Sequence, residues 1–217
     1  MLKEKLGKRL LKNRLCPARM RLDIGCGFDW TGDVNVDIRI IHPTPKNFVV
    51  CDCSALPFKN QIFNRVYASH VLEHNSFRTI INILGEWKRV LNRGGAFEIE
   101  VPNLMSLEVL SYMFLGSAYK TQKHGIPEFF GEHGRGLGAI YGQQDYEQNF
   151  HKSGFTAKAL RVLLNQIGMK DIMIEGHGEN TFLPFFKNKH VRWLYRKTGL
   201  VRFPQSFLNS LRVTARK

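Results

Sequence analysis

The sequence predicts an α/β fold built on a mostly parallel sheet, and three observations lead there. Short apolar runs alternate with a stretch of helical period, the pattern of strands joined by crossover helices. The first run stops at paired glycines, Gly25 and Gly27, where a parallel sheet presents the carboxyl ends of its strands to ligands. Near the end of the chain, Asp171–Glu175 and Leu208–Ala215 alternate apolar and polar residues and are expected to pair antiparallel.

Taken in order, residues 1–19 read as a basic helix. Leu2, Leu6 and Leu10 fall at i, i+4 and i+8, and Pro17 ends the pattern. Residues 20–217 form the main domain. Met20–Gly25, Val34–Ile38, Asn47–Cys51 and Phe63–Ser69 are strand runs. Phe77–Leu91 is a helix with Ile80, Ile81, Leu84, Trp87, Val90 and Leu91 on its apolar face, and Asn92-Arg93-Gly94-Gly95 stops it. Ala96–Val101 is the next strand. Residues 103–155 form an insertion: helical over 103–119, then a mobile loop over 124–150, with six glycines between Gly125 and Gly142. Thr156–Ile167 is a helix capped by Thr156 and ended by Gly168. A second insertion, 181–207, is aromatic and basic. Only six residues separate Gly27 from Val34, too few for a crossover helix, so the first crossover is expected to be trimmed.

Composition bounds the rest. With 43% hydrophobic and 23% charged residues the chain can bury a full core, which excludes disorder as its main state. No apolar run reaches the ~18–20 residues of a spanning helix, and no signal-peptide pattern opens the chain. Cys16, Cys26, Cys51 and Cys53 lack paired zinc spacing, and a reducing cytosol is the expected setting. The net charge of +14 is confined to the ends. Residues 1–21 carry eight cations and one acid, and nothing beyond Glu179 is acidic, whereas 22–179 is slightly negative. That distribution argues against a nucleic-acid groove running along the whole fold.

Leu22-Asp23-Ile24-Gly25-Cys26-Gly27 carries the chemistry. A dinucleotide fingerprint needs a third glycine at position 30, which is Trp30. The acid-x-Gly-x-Gly pattern instead resembles that of class I S-adenosylmethionine-dependent methyltransferases, and the later motifs follow in register. Asp37 ends the second strand. Asp52 follows the third, in Cys51-Asp52-Cys53-Ser54-Ala55-Leu56-Pro57-Phe58. Tyr67–His74 and Lys88–Gly95 resemble the fourth-strand motif and the pre-strand turn of the type 11 members. The resemblance implies a Rossmann-like sheet with helices on both faces and an antiparallel last strand, with S-adenosylmethionine as cofactor. It places cofactor contacts at Asp23, Gly25, Cys26, Gly27, Asp37, Asp52, Cys53 and Ser69. Two carboxylates on successive strand ends suit ribose hydroxyls and an exocyclic amine, which are donors; the alternative for each acid is a loop cap. The Gly-Cys-Gly-Phe-Asp-Trp form is similar to methyltransferases of bacterial cell-surface glycan and secondary-metabolite pathways, which implies a small-molecule or glycan acceptor.

His70-Val71-Leu72-Glu73-His74 spells HxxEH, but zinc chemistry needs those histidines on one helix face, and here a strand runs into a loop, so no metal is expected. The acceptor pocket is expected in the insertion, where His124, His133, Arg135, Tyr141, Tyr146 and His151 gather. His151 and His70 are the candidate bases for a hydroxyl proton; His151 has the alternative of tying the loop to the core. The aromatic, acid-free 181–207 segment suits an anionic membrane surface or single-stranded nucleic acid, with packing on the core as the plainer reading. The rival to an enzyme is a binding module that keeps the fold and uses its basic ends to hold RNA or membrane.

Overall fold

The structure is a computed structural model of the whole chain and describes residues 20–106, 109, 120–121, 127–128, 134–177 and 210–217. The expected helix of 1–19, the 181–207 insertion, His124 and His133 lie outside the described residues, as does nearly all of 107–119.

Strand β1 (Arg21–Ile24) pairs in parallel with β2 (Val34–Asp37) and with β4 (Phe63–Ser69), and β2 pairs in parallel with β3 (Phe48–Val50). After helix α1 (Ile80–Val90), β5 (Leu91–Pro102) adds in parallel to β4. A two-residue pair, β6 (Lys120–Thr121) and β7 (Pro127–Glu128), and helices α2 (Gly134–Tyr141) and α3 (Ala157–Gln166) follow. Strands β8 (Lys170–His177) and β9 (Ser210–Arg216) close the main sheet antiparallel, giving the order β3-β2-β1-β4-β5-β9-β8. The order reverses between β1 and β4, and ligands of open α/β sheets sit at such a switch point.

The core forms where apolar positions of β1, β2, β4, β5 and β9 meet α1 and α3. Leu22, Val66, Phe97 and Val213 are fully buried against Ile80, Leu84 and Trp87 from α1 and Leu160 and Leu164 from α3. Trp87 also donates its indole N–H to the Cys53 carbonyl at 3.0 Å, so the helix core holds the loop after β3. Glu86 and Arg89 brace the rest of that loop. Glu86 Oε1 accepts the Leu56 N–H at 2.8 Å, and Arg89 donates to the carbonyls of Leu56 and Phe58 at 3.0 and 2.7 Å. Lys88 donates to the Ile167 and Gly168 carbonyls at the end of α3. The Lys88-Arg89 pair is therefore a brace between elements.

Three expectations change. The helix spans Ile80–Val90, and β5 begins at once at Leu91, because Leu91 pairs with Phe63 before the register shifts. Gly94 and Gly95 lie within that irregular strand; a side chain on Gly95 would press on Leu91 and on the Asn64 carbonyl. The stretch expected as a loop over 124–150 contains α2, which ends at Gly142 with φ +77°.

The trimmed crossover is real. Leu22, Asp23 and Ile24 face Val34, Asn35 and Val36 in parallel register, and no helix lies between. Hydrogen bonds replace it. Asp23 Oδ2 accepts from Thr31 N and Oγ1 at 2.8 and 2.9 Å, Asp33 Oδ2 accepts from Arg21 N at 2.8 Å, and Asn35 spans Gly32 and Lys46. A Cβ on Gly32 would sit 2.8 Å from that of Asp23, so only glycine lets the turn pass so close.

Candidate functional site

A cleft of about 390 Å³ opens at the carboxyl ends of β1, β2 and β4, with the segment 146–152 as its far wall. Its floor is the glycine turn. Gly25 has φ +65°, and a Cβ there would collide with the Val71 side chain, so only glycine fits at this point of the lining.

Two carboxylates flank this floor. Asp37 is buried at the end of β2; its Oδ2 accepts the Gly27 N–H at 3.1 Å and its Oδ1 accepts from Arg39 N at 2.9 Å. Asp52 is exposed after β3, where its Oδ1 accepts the Ser54 N–H at 2.7 Å. Both line the cleft, together with Ile38, Cys51 and Cys53. Acceptors on two strand ends beside a closely approaching backbone fit the hydroxyls and amine of an adenosine group.

The remaining cofactor candidates take other places. Asp23 is 2% exposed and lies beneath the cleft, where it ties the 28–33 turn; burial lifts its carboxyl above the usual range although Thr31 hydrogen-bonds to it. Cys26 is buried, with its N–H donated to the Val36 carbonyl at 3.1 Å. Burial and the neighbouring aspartates push the thiols of Cys26 and Cys53 to about 12, so both stay protonated. Gly27 reaches the site through Asp37, and Ser69 ends β4 opposite Glu100, outside the cleft lining.

His70 follows β4 with φ +52°, a left-handed residue at the strand exit that turns its ring onto the cleft wall. Its Nδ1 lies 3.1 Å from Glu73 Oε1. Burial works against the charged ring, but the bond to Glu73 and the charges of Glu73 and Glu100 outweigh it and raise its pKa. Glu73 belongs to a 3₁₀ turn, Leu72–His74, and its carbonyl accepts the N–H groups of Lys152 and Ser153 at 2.8 and 3.0 Å. That docking straps residues 151–155 of the insertion onto the fourth-strand motif, and Asn103 forms a parallel bridge with Phe155. His151 packs edge-on against His74 with ring centroids 5.0 Å apart. His74 lines the cleft and His151 does not. Burial lowers the His151 pKa, and its Nδ1 is 3.0 Å from the Ala139 carbonyl.

Sequence reasoning missed the rim. Arg39 stacks on the Tyr146 ring at 4.5 Å in the cleft lining, to which Gln148 and Lys152 add polar groups. Tyr146 is among the residues expected at the acceptor pocket, but nothing in the spacing pairs it with Arg39.

A family model described as a methyltransferase domain matches residues 35–99. No curated protein matches the sequence. Among solved structures, the chain is similar to a SAM-dependent methyltransferase from Archaeoglobus fulgidus, with TM-score 0.57, 18% identity, and 100% of this chain and 93% of that one covered. It is also similar to one from Thermotoga maritima described as a possible histamine N-methyltransferase, with TM-score 0.55, 12% identity, and 99% and 87% covered. A third, from Mesorhizobium loti, has TM-score 0.52 and 14% identity, with 99% and 98% covered. At these identities the likeness is one of fold.

Proposed function

We propose that this chain, a class I S-adenosylmethionine-dependent methyltransferase, carries the methyl group to a hydroxyl oxygen of a small-molecule or glycan acceptor, lipid-linked glycans included. The observation that carries the reading is the cleft itself: an adenosine-type acceptor pair, Asp37 and Asp52, and a histidine held by a buried carboxylate share one cavity. S-adenosylmethionine supplies a methyl group on a cationic sulfonium, whose carbon–sulfur bond breaks as the acceptor oxygen forms its bond to that carbon. Asp37 and Asp52 accept from the ribose hydroxyls and the adenine amine, and the Gly25 turn lets the backbone meet the same group. His70 Nε2 takes the hydroxyl proton, while Glu73, bonded at Nδ1, fixes the tautomer and steadies the imidazolium. The segment 146–152, anchored by that strap, orients the acceptor over the cleft and keeps water out.

Calorimetric titration with S-adenosylmethionine tests the first half; a folded protein that takes up none overturns the reading. Methyl-labelled cofactor offered to hydroxylated small molecules, glycans and polyprenyl-linked glycans tests the second. Label in an alkali-stable ether supports it, and label on nitrogen or carbon rejects the hydroxyl acceptor.

The same reading places the enzyme in the cytoplasm, meeting anionic membrane peripherally. Its support is the charge pattern: cations crowd 1–21 and 187–217, and among the described residues no helix is long and apolar enough to cross a membrane. Flotation with anionic vesicles is expected to be salt-sensitive, and equal binding to neutral vesicles rejects it.

A further inference from the structure

The HxxEH letters pair His70 with His74, but the fold pairs His74 with His151 instead, around Glu73. Glu73 is 1% exposed. Its Oε1 meets His70, whereas its Oε2 is buried with no hydrogen-bond partner. A buried carboxylate oxygen left without a donor is costly, so its neighbours matter.

Glu73 is grouped with two imidazoles, His74 and His151, whose tautomers the backbone sets. His74 Nδ1 lies 3.3 Å from the Phe150 carbonyl, and His151 Nδ1 lies 3.0 Å from the Ala139 carbonyl. A carbonyl only accepts, so each Nδ1 carries the proton and each Nε2 keeps a lone pair. Donation from the distal ring N–H to a backbone carbonyl is how metal-binding histidines are held. One ligand atom from each of Glu73, His74 and His151 can be found within 4.8 Å of the others. Three converging acceptors repel unless a cation or a proton sits among them.

We propose that Glu73, His74 and His151 bind a divalent first-row transition cation of the zinc class through one carboxylate oxygen and two Nε2 atoms. Two imidazoles and a carboxylate suit such a cation better than magnesium or calcium, which prefer all-oxygen shells. Bonds of about 2.0–2.2 Å place tetrahedral donors roughly 3.3 Å apart, so binding draws these groups inward by at most about 1.5 Å, within reach of side-chain rotation. Three protein ligands leave one position open, as in catalytic rather than structural zinc sites, and His74 is shared with the cleft wall. Water or an acceptor oxygen fits there. That last step rests on the methyl-transfer reading; cation binding does not.

The test uses tag-free, chelator-treated full-length protein and the metals alone, without cofactor. Zn²⁺ is expected to bind at one equivalent by calorimetry and to raise the melting temperature, and Co²⁺ to develop the visible ligand-field bands of a four-coordinate site. His74→Ala and His151→Ala are each expected to weaken Zn²⁺ binding by more than about 100-fold, the upper end for losing even an outer-shell partner. His42→Ala, at an exposed position, is expected to leave it unchanged. No stoichiometric uptake by the wild type, or uptake undiminished in both variants, overturns the site. Circular dichroism checks each variant's fold, and if one fails, the wild-type Co²⁺ spectrum still decides. Failure to bind S-adenosylmethionine in a separate titration bears only on the function proposed above.

Discussion

The two walls of the cleft are built differently. On the side proposed for the cofactor, the polar side chains are already engaged by the backbone, Asp37 by Gly27 and Arg39 and Asp52 by Ser54, while Asp23, outside the lining, is tied to Thr31. Trp87, Glu86 and Arg89 hold the adjoining loop from beneath. On the side proposed for the acceptor, Tyr146 is exposed in the cleft lining, and outside that lining Glu73 keeps one oxygen free and Tyr141 and Phe150 are exposed. A wall shaped for one constant ligand can be fixed in advance by local hydrogen bonds. A wall that meets the variable partner keeps unspent valences and exposed aromatic surface.

Breaking the cofactor wall from below is expected to have the largest effect. Trp87→Ala removes a fully buried side chain and the donor to Cys53, and a loss of about 3–5 kcal/mol is expected in chemical denaturation. Gly25→Ala against Gly27→Ala separates space from backbone strain. Both glycines have positive φ, but only Gly25 faces a collision, with Val71, while nothing lies near a Cβ on Gly27. Gly27→Ala is expected to cost about 1–2 kcal/mol of stability, and Gly25→Ala more, together with most of the cofactor affinity. Equal losses of both would dissolve the distinction.

Asp52→Ala sharpens it further. Because this carboxylate is exposed and serves one backbone N–H, stability is expected to stay nearly constant while affinity for S-adenosylmethionine falls about 10–100-fold. An unchanged calorimetric affinity would remove Asp52 from the site. The last test concerns the Glu86–Arg89 brace, whose effect depends on pH. The hydrogen bond from Arg89 depresses the Glu86 pKa below 4.5. A depressed carboxylate stabilises the fold above its unfolded pKa, and that contribution is lost as pH falls through the folded value. Arg89→Met is expected to cost about 1–3 kcal/mol at pH 7, with the gap to wild type narrowing below pH 4.5. A gap that is constant down to acid unfolding would show that the ion pair contributes nothing.

Much of this was legible in the chain because the relevant signals are local. The strand runs, the glycine turn, the Thr156 cap and the carboxylates after β2 and β3 are each specified within a few neighbouring residues, and Thr156 does accept from Ala159 N at 3.2 Å. The early start of β5 was not legible, because the pairing of Leu91 with Phe63 overrides the helix stop that Gly94 and Gly95 suggest. Nor was the position of Asp23. Its motif points to the cofactor, but a crossover without a helix needs an anchor for Thr31, and the nearest buried acceptor supplies it.

By itself, then, the sequence determined the sheet, the trimmed crossover and the pair of acids that line the cleft, since periodicity, glycines and strand ends are properties of short segments. Only the tertiary structure decided which histidine faces that cleft and which stands behind it. His74 and His151 meet because the Glu73 carbonyl captures the N–H groups of Lys152 and Ser153 from a distant part of the chain. No spacing encodes such a contact; it exists only once the 3₁₀ turn and the strap are docked on the same sheet.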